Sequence, residues 1–228
     1  MKKVILAVYI ILLISCSGQQ TVLFRPEPGY HEVVQNYQVS INDITETKAG
    51  AGNANIPGWL QAYLNGGVAD VEGMVLYFTR YCFIGVNEGS NFNALSKWAE
   101  NYSVIQDFPR LAAARIEKNL ITTATLYPDD EYGSFFETFV KKAFDNEYHD
   151  ALLEDTFWIK KRIEQGENMD GTGSFTEIYQ FYVFISIEKR RMQIVIQNMM
   201  AETLVAVTPT RAQNNAIRRL QQNFFTEF

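Results

Sequence analysis

Between residues 176 and 188 the chain alternates as an extended segment does. In TEIYQFYVFISIE, Tyr179, Phe181, Val183, Ile185 and Ile187 fall on one side, with Gln180, Ser186 and Glu188 opposite. A period of two is the mark of a strand. ALLEDTFWIKKRIE (151–164) places Leu153, Phe157, Ile159 and Ile163 on one side. The Gly- and Asn-containing stretch between these two segments predicts an antiparallel hairpin. MVLYFTRYCFIGVNEG (74–89) is rich in β-formers and ends in turn residues, so at least one more strand is expected there. HEVVQNYQVSIN (31–42) is a further strand candidate, and TKAGAGNANIPG (47–58) reads as a loop.

Elsewhere the spacing changes to that of helices. WLQAYLNGG predicts a short helix stopped by Gly66 and Gly67. SNFNALSKWAENY (90–102) opens on Ser and Asn capping candidates. From Asp107 the chain offers a cap, Pro109 in the first turn, and apolar residues at 112, 116, 120 and 124. Asp129 and Asp130 are expected at the start of the next helix, where the macrodipole favours acids. That helix presents Tyr132, Phe135, Phe136, Phe139, Val140 and Ala143 on one face. KRRMQIVIQNMMAETL has helical spacing again, and after Pro209 a polar helix carries Ile217, Leu220 and Phe224 on a narrow stripe. The pattern predicts an α+β fold, a single domain with an antiparallel sheet of three to four strands packed against helices.

The N-terminus belongs to a different regime. Lys2 and Lys3 precede an uncharged aliphatic run, Val4 to Ile14, which is too short to span a bilayer and has the form of a signal peptide. Leu13-Ile14-Ser15-Cys16 resembles the lipobox of bacterial lipoproteins. The resemblance implies that Cys16 carries a thioether-linked diacylglycerol, becomes the mature N-terminus and holds the chain at a membrane. Two or three acyl chains give stable attachment where one is marginal. The expected organisation is a signal peptide (1–15), a lipidated tether (16–30), an α+β domain (31–208) and a C-terminal amphipathic helix (209–228).

Removal of residues 1–15 takes away Lys2 and Lys3 and no acid, so the 20 basic residues fall to 18 against 26 acidic ones. An acidic chain of this kind argues against nucleic acid as a partner. The 3 Trp, 12 Tyr and 16 Phe argue against disorder of the body. Cys82, the second of two cysteines, sits in the apolar run YCFIGV and reads as a buried structural thiol.

The candidate chemistry is sparse. His149 lies among Glu147, Asp150, Glu154 and Asp155, which reads as a solvated acidic link; His31 lies close to the tether. GENMDGTGSFTE (166–177) matches a calcium loop at Asn168, Asp170, Gly171 and Glu177, but Gly166 stands where the first carboxylate is required. No catalytic residues, metal ligands or cofactor are assigned, and the chain is read as not an enzyme. The aromatic stretch 127–158, with Tyr127, Tyr132, Tyr148 and Trp158, is the candidate binding surface. Tyr132 and Tyr148 are expected to be exposed, although the helical spacing of these residues also suits a core.

Four segments in order, IPGWL (56–60), YCFIGVNEG (81–89), AAARIEKNL (112–120) and YQFYVFISIEK (179–189), together resemble the twenty-kilodalton bacterial lipoprotein family. That group is related to the N-terminal domain of a flagellar assembly protein. The likeness covers roughly residues 56–205, and spirochaete lipoproteins are the sub-group it suggests. It implies a compact α+β fold at the cell envelope and brings no catalytic residues. The expected function is a non-enzymatic envelope lipoprotein that binds or scaffolds, anchored through Cys16, with a protein partner in the envelope or on a host surface. An outer-membrane location is expected. The alternatives are a periplasmic carrier of lipid or another small ligand, and a hydrolase of envelope polymers.

Overall fold

The computed structural model describes residues 41–53, 55–167, 173–226 and 228. Among the described residues its centre is a five-stranded antiparallel sheet, order β2-β1-β4-β5-β3, packed with seven α-helices, so the α+β class is confirmed. Five strands replace the expected three to four. The additional ones are the small hairpin of β1 (Ile44–Thr47), which ends where the stretch read as a loop begins, and β2 (Gly50–Ala51), which lies inside that stretch. The hairpin reverses at Lys48–Ala49, and Gly50 at φ 134° and Gly52 at φ 72°, on either side of Ala51, take backbone angles that other residues rarely adopt. The strand candidate at 31–42 lies outside the described residues up to position 40, and Ile41–Asp43 is a 3-10 turn.

β4 (Leu152–Glu167) and β5 (Gly173–Glu188) form the expected hairpin, and β3 (Arg80–Gly89) pairs with the far side of β5. The centre of the calcium-loop candidate lies outside the described residues. β5 alternates as its sequence predicts. Phe181, Val183, Ile185 and Ile187 enter one core, together with Phe108, Ile116, Leu120, Phe135, Phe139 and Phe224. That side is covered by α3 (Phe92–Glu100), α4 (Phe108–Ala124), α5 (Phe135–Asp145), α6 (Lys189–Val207) and α7 (Arg211–Asn223). The opposite side of β5 is also buried. Tyr182 and Phe184 pack with Phe157, Ile159 and Cys82 beneath α1 (Gly58–Gly66) and α2 (Val68–Glu72), through Trp59, Leu60 and Val71. Burial of each large apolar side chain contributes about 1.5–3 kcal/mol, and both faces of one strand draw on it.

The expectation for β4 fails at one place. A register shift lies between Leu153 and Asp155, so Leu153 faces Ile185 while Phe157 faces Tyr182. An inserted residue resets the alternation. Leu153 therefore departs from the side of Phe157 and Ile159 and is 44% exposed.

The helix ends follow their local signals in part. Asn91 caps α3, accepting from Ala94 N–H at 3.1 Å, and Thr210 with Gln213 forms a capping box on α7. Asp107 accepts from Ser103 N–H instead of capping α4. Asp129 and Asp130 precede α5 by a turn rather than starting it, since that helix begins at Phe135.

Candidate functional site

The chemistry-bearing groups gather where β3 begins, and the reason is the segment before it. Residues 74–79, read from sequence as strand, are consecutive turns: Tyr77 N–H donates to Met74 C=O at 2.9 Å and Arg80 N–H to Tyr77 C=O at 2.8 Å. Lys189 N–H at the start of α6 donates to Thr79 C=O at 2.9 Å, tying the turns to the end of β5. Met74 and Tyr77 pack inward beneath α1, Tyr77 meeting Phe184 edge-on at 5.0 Å. Their neighbours are thereby directed outward, Val75 at 85%, Leu76 at 75% and Phe78 at 61% exposure.

Just below, the bulge residue Glu154 accepts a short hydrogen bond from the fully buried Ser186 hydroxyl, which itself accepts from Arg80 Nε at 2.7 Å. Next to it, Trp59 Nε1 donates to Asp155 at 3.0 Å while its ring stacks on Phe184 at 4.9 Å. Burial, reinforced by the nearby Glu154, raises the pKa of the Tyr77 phenol. Ser186 thus acts as a shared hydroxyl between an acid and a base, with no exposed face to offer a substrate.

On the outer edge of β3, Glu72 accepts from Cys82 N–H at 2.8 Å. Arg115 of α4 donates to Cys82 C=O at 3.0 Å and to Glu72 at 2.6 Å, and also reaches Phe228 C=O. Its guanidinium lies over the rings of Tyr81, Phe83 and Phe228 at 4.7–5.2 Å. The Cys82 side chain is fully buried, and burial first, then Glu72, pushes its thiol up to about 12. It is a structural thiol held in its neutral form.

The aromatic stretch does not form one surface. Tyr148 is buried rather than exposed, donating to Ala143 C=O at 2.9 Å while Phe108 meets its ring at 5.2 Å. It is a core residue because it closes the turn from α5 to β4. Trp158 is half-buried against Phe92, Tyr179 and Phe181. Tyr127 accepts from Asn223 at 2.9 Å and lies under Arg219, which pairs with Asp130; this turn is where α7 docks. Tyr132 stacks on Phe136 at 4.6 Å and is also half-buried, against expectation.

His149 is exposed and 3.0 Å from Glu147. Among the described residues no group of three or more His, Cys, Asp or Glu side chains is placed to hold a metal, and no helix is long and apolar enough to cross a membrane. A hollow of about 360 Å³ at the opposite end of the sheet is lined by Asn42, Asp43, Thr45, Arg162 and Phe175, mostly polar side chains.

Comparison with known proteins finds no matching family model, no matching curated protein and no matching solved structure. The exposed turns at 75–78 are the feature that sequence reasoning missed. The signal present was a run of apolar residues with no polar alternation, which suits a buried strand and a pinned surface turn equally.

Proposed function

We propose that the protein is a lipid-anchored envelope protein whose folded domain works by binding or scaffolding rather than by catalysis. The observation that carries this reading is the lysine-led aliphatic run ending at Leu13-Ile14-Ser15-Cys16. Support comes from the domain, where Arg80, Glu154, Ser186, Glu72 and Arg115 are engaged with one another and with the backbone. The family likeness is part of the same proposal. Its four segments supply α1, β3, α4 and β5, and they meet through Trp59 on Phe184 and Arg115 on Cys82. The partner class we favour is a protein of the envelope or of a host surface.

Metabolic labelling with a palmitate analogue tests the anchor. The parent chain should carry the label and sediment with membranes, and Cys16→Ser should lose the label and become soluble. A parent chain without label would overturn the reading. Protease shaving of intact and permeabilised cells then locates the domain: loss in intact cells points to surface ligands, and survival points to a periplasmic partner.

A further inference from the structure

We infer that α4 holds an internal water molecule between Asn119 and Thr123, and that this water steadies the side chain on which the end of α7 docks. The inference is independent of the anchor reading and rests on the interior of the domain. Asn119 is 4% exposed and Thr123 is fully buried. Asn119 Nδ2 donates to Phe224 C=O at 2.6 Å, immediately past the last residue of α7. Asn119 Oδ1 and the Thr123 hydroxyl meet no hydrogen-bond partner among the described residues. Buried oxygens are nearly always satisfied, by protein groups or by ordered water.

Two remedies within the chain are open to these atoms, and the geometry takes neither. Exchanging the oxygen and nitrogen of Asn119 would set an acceptor against Phe224 C=O, so the amide is fixed as it stands. A helix threonine can also turn its hydroxyl onto the carbonyl one turn back. Thr122 does so to Lys118 at 3.0 Å and Thr203 to Met199 at 2.7 Å, whereas the Thr123 hydroxyl leaves Asn119 C=O alone. The two residues are four positions apart on α4, a spacing that sets Cβ atoms about 5–6 Å apart. One water making two hydrogen bonds of about 2.8 Å each closes a gap of that size. The chemistry selects water over a larger or charged guest. Asn119 Oδ1 only accepts and the Thr123 hydroxyl both donates and accepts, so one water satisfies both. Ile116, Leu120 and Phe224 around them are apolar and fully buried, a setting hostile to a bare ion. With the water in place, the amide that grips Phe224 C=O is held at both its oxygen and its nitrogen. The polar seam between α4 and α7 then continues outward, through Asn223 on Tyr127 at 2.9 Å and Arg219 on Asp130.

The test uses the full chain. A crystal structure of the parent should show an ordered water about 2.7–3.2 Å from both Asn119 Oδ1 and Thr123 Oγ1. A Thr123 hydroxyl turned onto Asn119 C=O, or a water touching one of the two oxygens alone, would overturn the inference. Thr123→Val keeps the shape and nearly the helix propensity of the side chain while removing the hydroxyl. It should lower the folding equilibrium constant in urea titration about tenfold. An unchanged or raised constant would mean that nothing holds the hydroxyl, and would overturn the site as well. In solution, magnetisation transfer from bound water to the Asn119 side-chain amide should be present in the parent, kept in Thr123→Ser and lost in Thr123→Val. Its absence from the parent would count against the site in the same way.

Discussion

On the side of α3–α7, β5 meets a layer in which Phe108, Phe135, Phe139 and Phe224 are all fully buried. On the side of α1 and α2, two short helices cover the same strand, and Tyr182 and Phe184 alternate with Gln180 and the buried Ser186. Gln180 joins Lys161 at the Glu88 carboxylate, and Ser186 joins Arg80 to Glu154. One face is held by apolar area and packing, which are non-directional. The other adds polar contacts that depend on each partner being present. Loss of a group should therefore leave a cavity on the first face and an abandoned partner on the second.

The largest effect tests the apolar side. Phe139→Ala should lower unfolding free energy by about 3–5 kcal/mol in urea titration. Phe184→Ala, beneath the thinner cover, should cost less because α1 and α2 can settle into the space. An equal or greater loss at Phe184 would erase the distinction. Next comes the ion pair at the edge of β3, whose side chains are 22% and 13% exposed. Arg115→Ala should cost about 2–3 kcal/mol, below the range for a fully buried pair because solvent screens part of it. The double variant with Glu72→Gln should recover part of that loss. Ser186→Ala follows at about 1–2 kcal/mol, from the unpaired groups left on Arg80 and Glu154.

The smallest effect concerns sign more than size. Burial raises the pKa of Glu117 on α4 above the ordinary carboxylate value. The folded state thus holds the proton more tightly than the unfolded one, and the associated stability is present at low pH and lost as pH rises through the raised value. Glu117→Gln should therefore be more stable than the parent at neutral pH, with the difference vanishing at about pH 3. A constant difference across that range would exclude titration of Glu117 as its source.

Where local chemistry decided the structure, the sequence was legible. The alternation of β5, the Asn91 cap and the stripe Ile217, Leu220 and Phe224 all appear where their spacing places them. Long-range events were hidden. Tyr182 and Phe184 break the polar side of β5, and this was the sign that a second layer would cover it. The bulge at Glu154 has no local sequence signature, since it exists only in the pairing of β4 with β5. Tyr148 looked like a surface aromatic because it stands among charged neighbours; its burial follows from the path of the chain from α5 to β4. For the candidate site, the anchor motif lies outside the described residues, while the turns at 75–78 became visible only once Met74 and Tyr77 were seen to point inward.

The clasp of Glu72 and Arg115 on Cys82 has a consequence for how many strands the sheet can hold. A sheet ends where its outer backbone groups are already taken, and an edge with free groups is a template for another chain. On the β2 side the outermost strand is only two residues long. On the β3 side, a carboxylate occupies the N–H and a guanidinium the C=O that a sixth strand would need at Cys82. The clasp thus acts as a terminator, keeping neighbouring copies from joining into a continuous sheet.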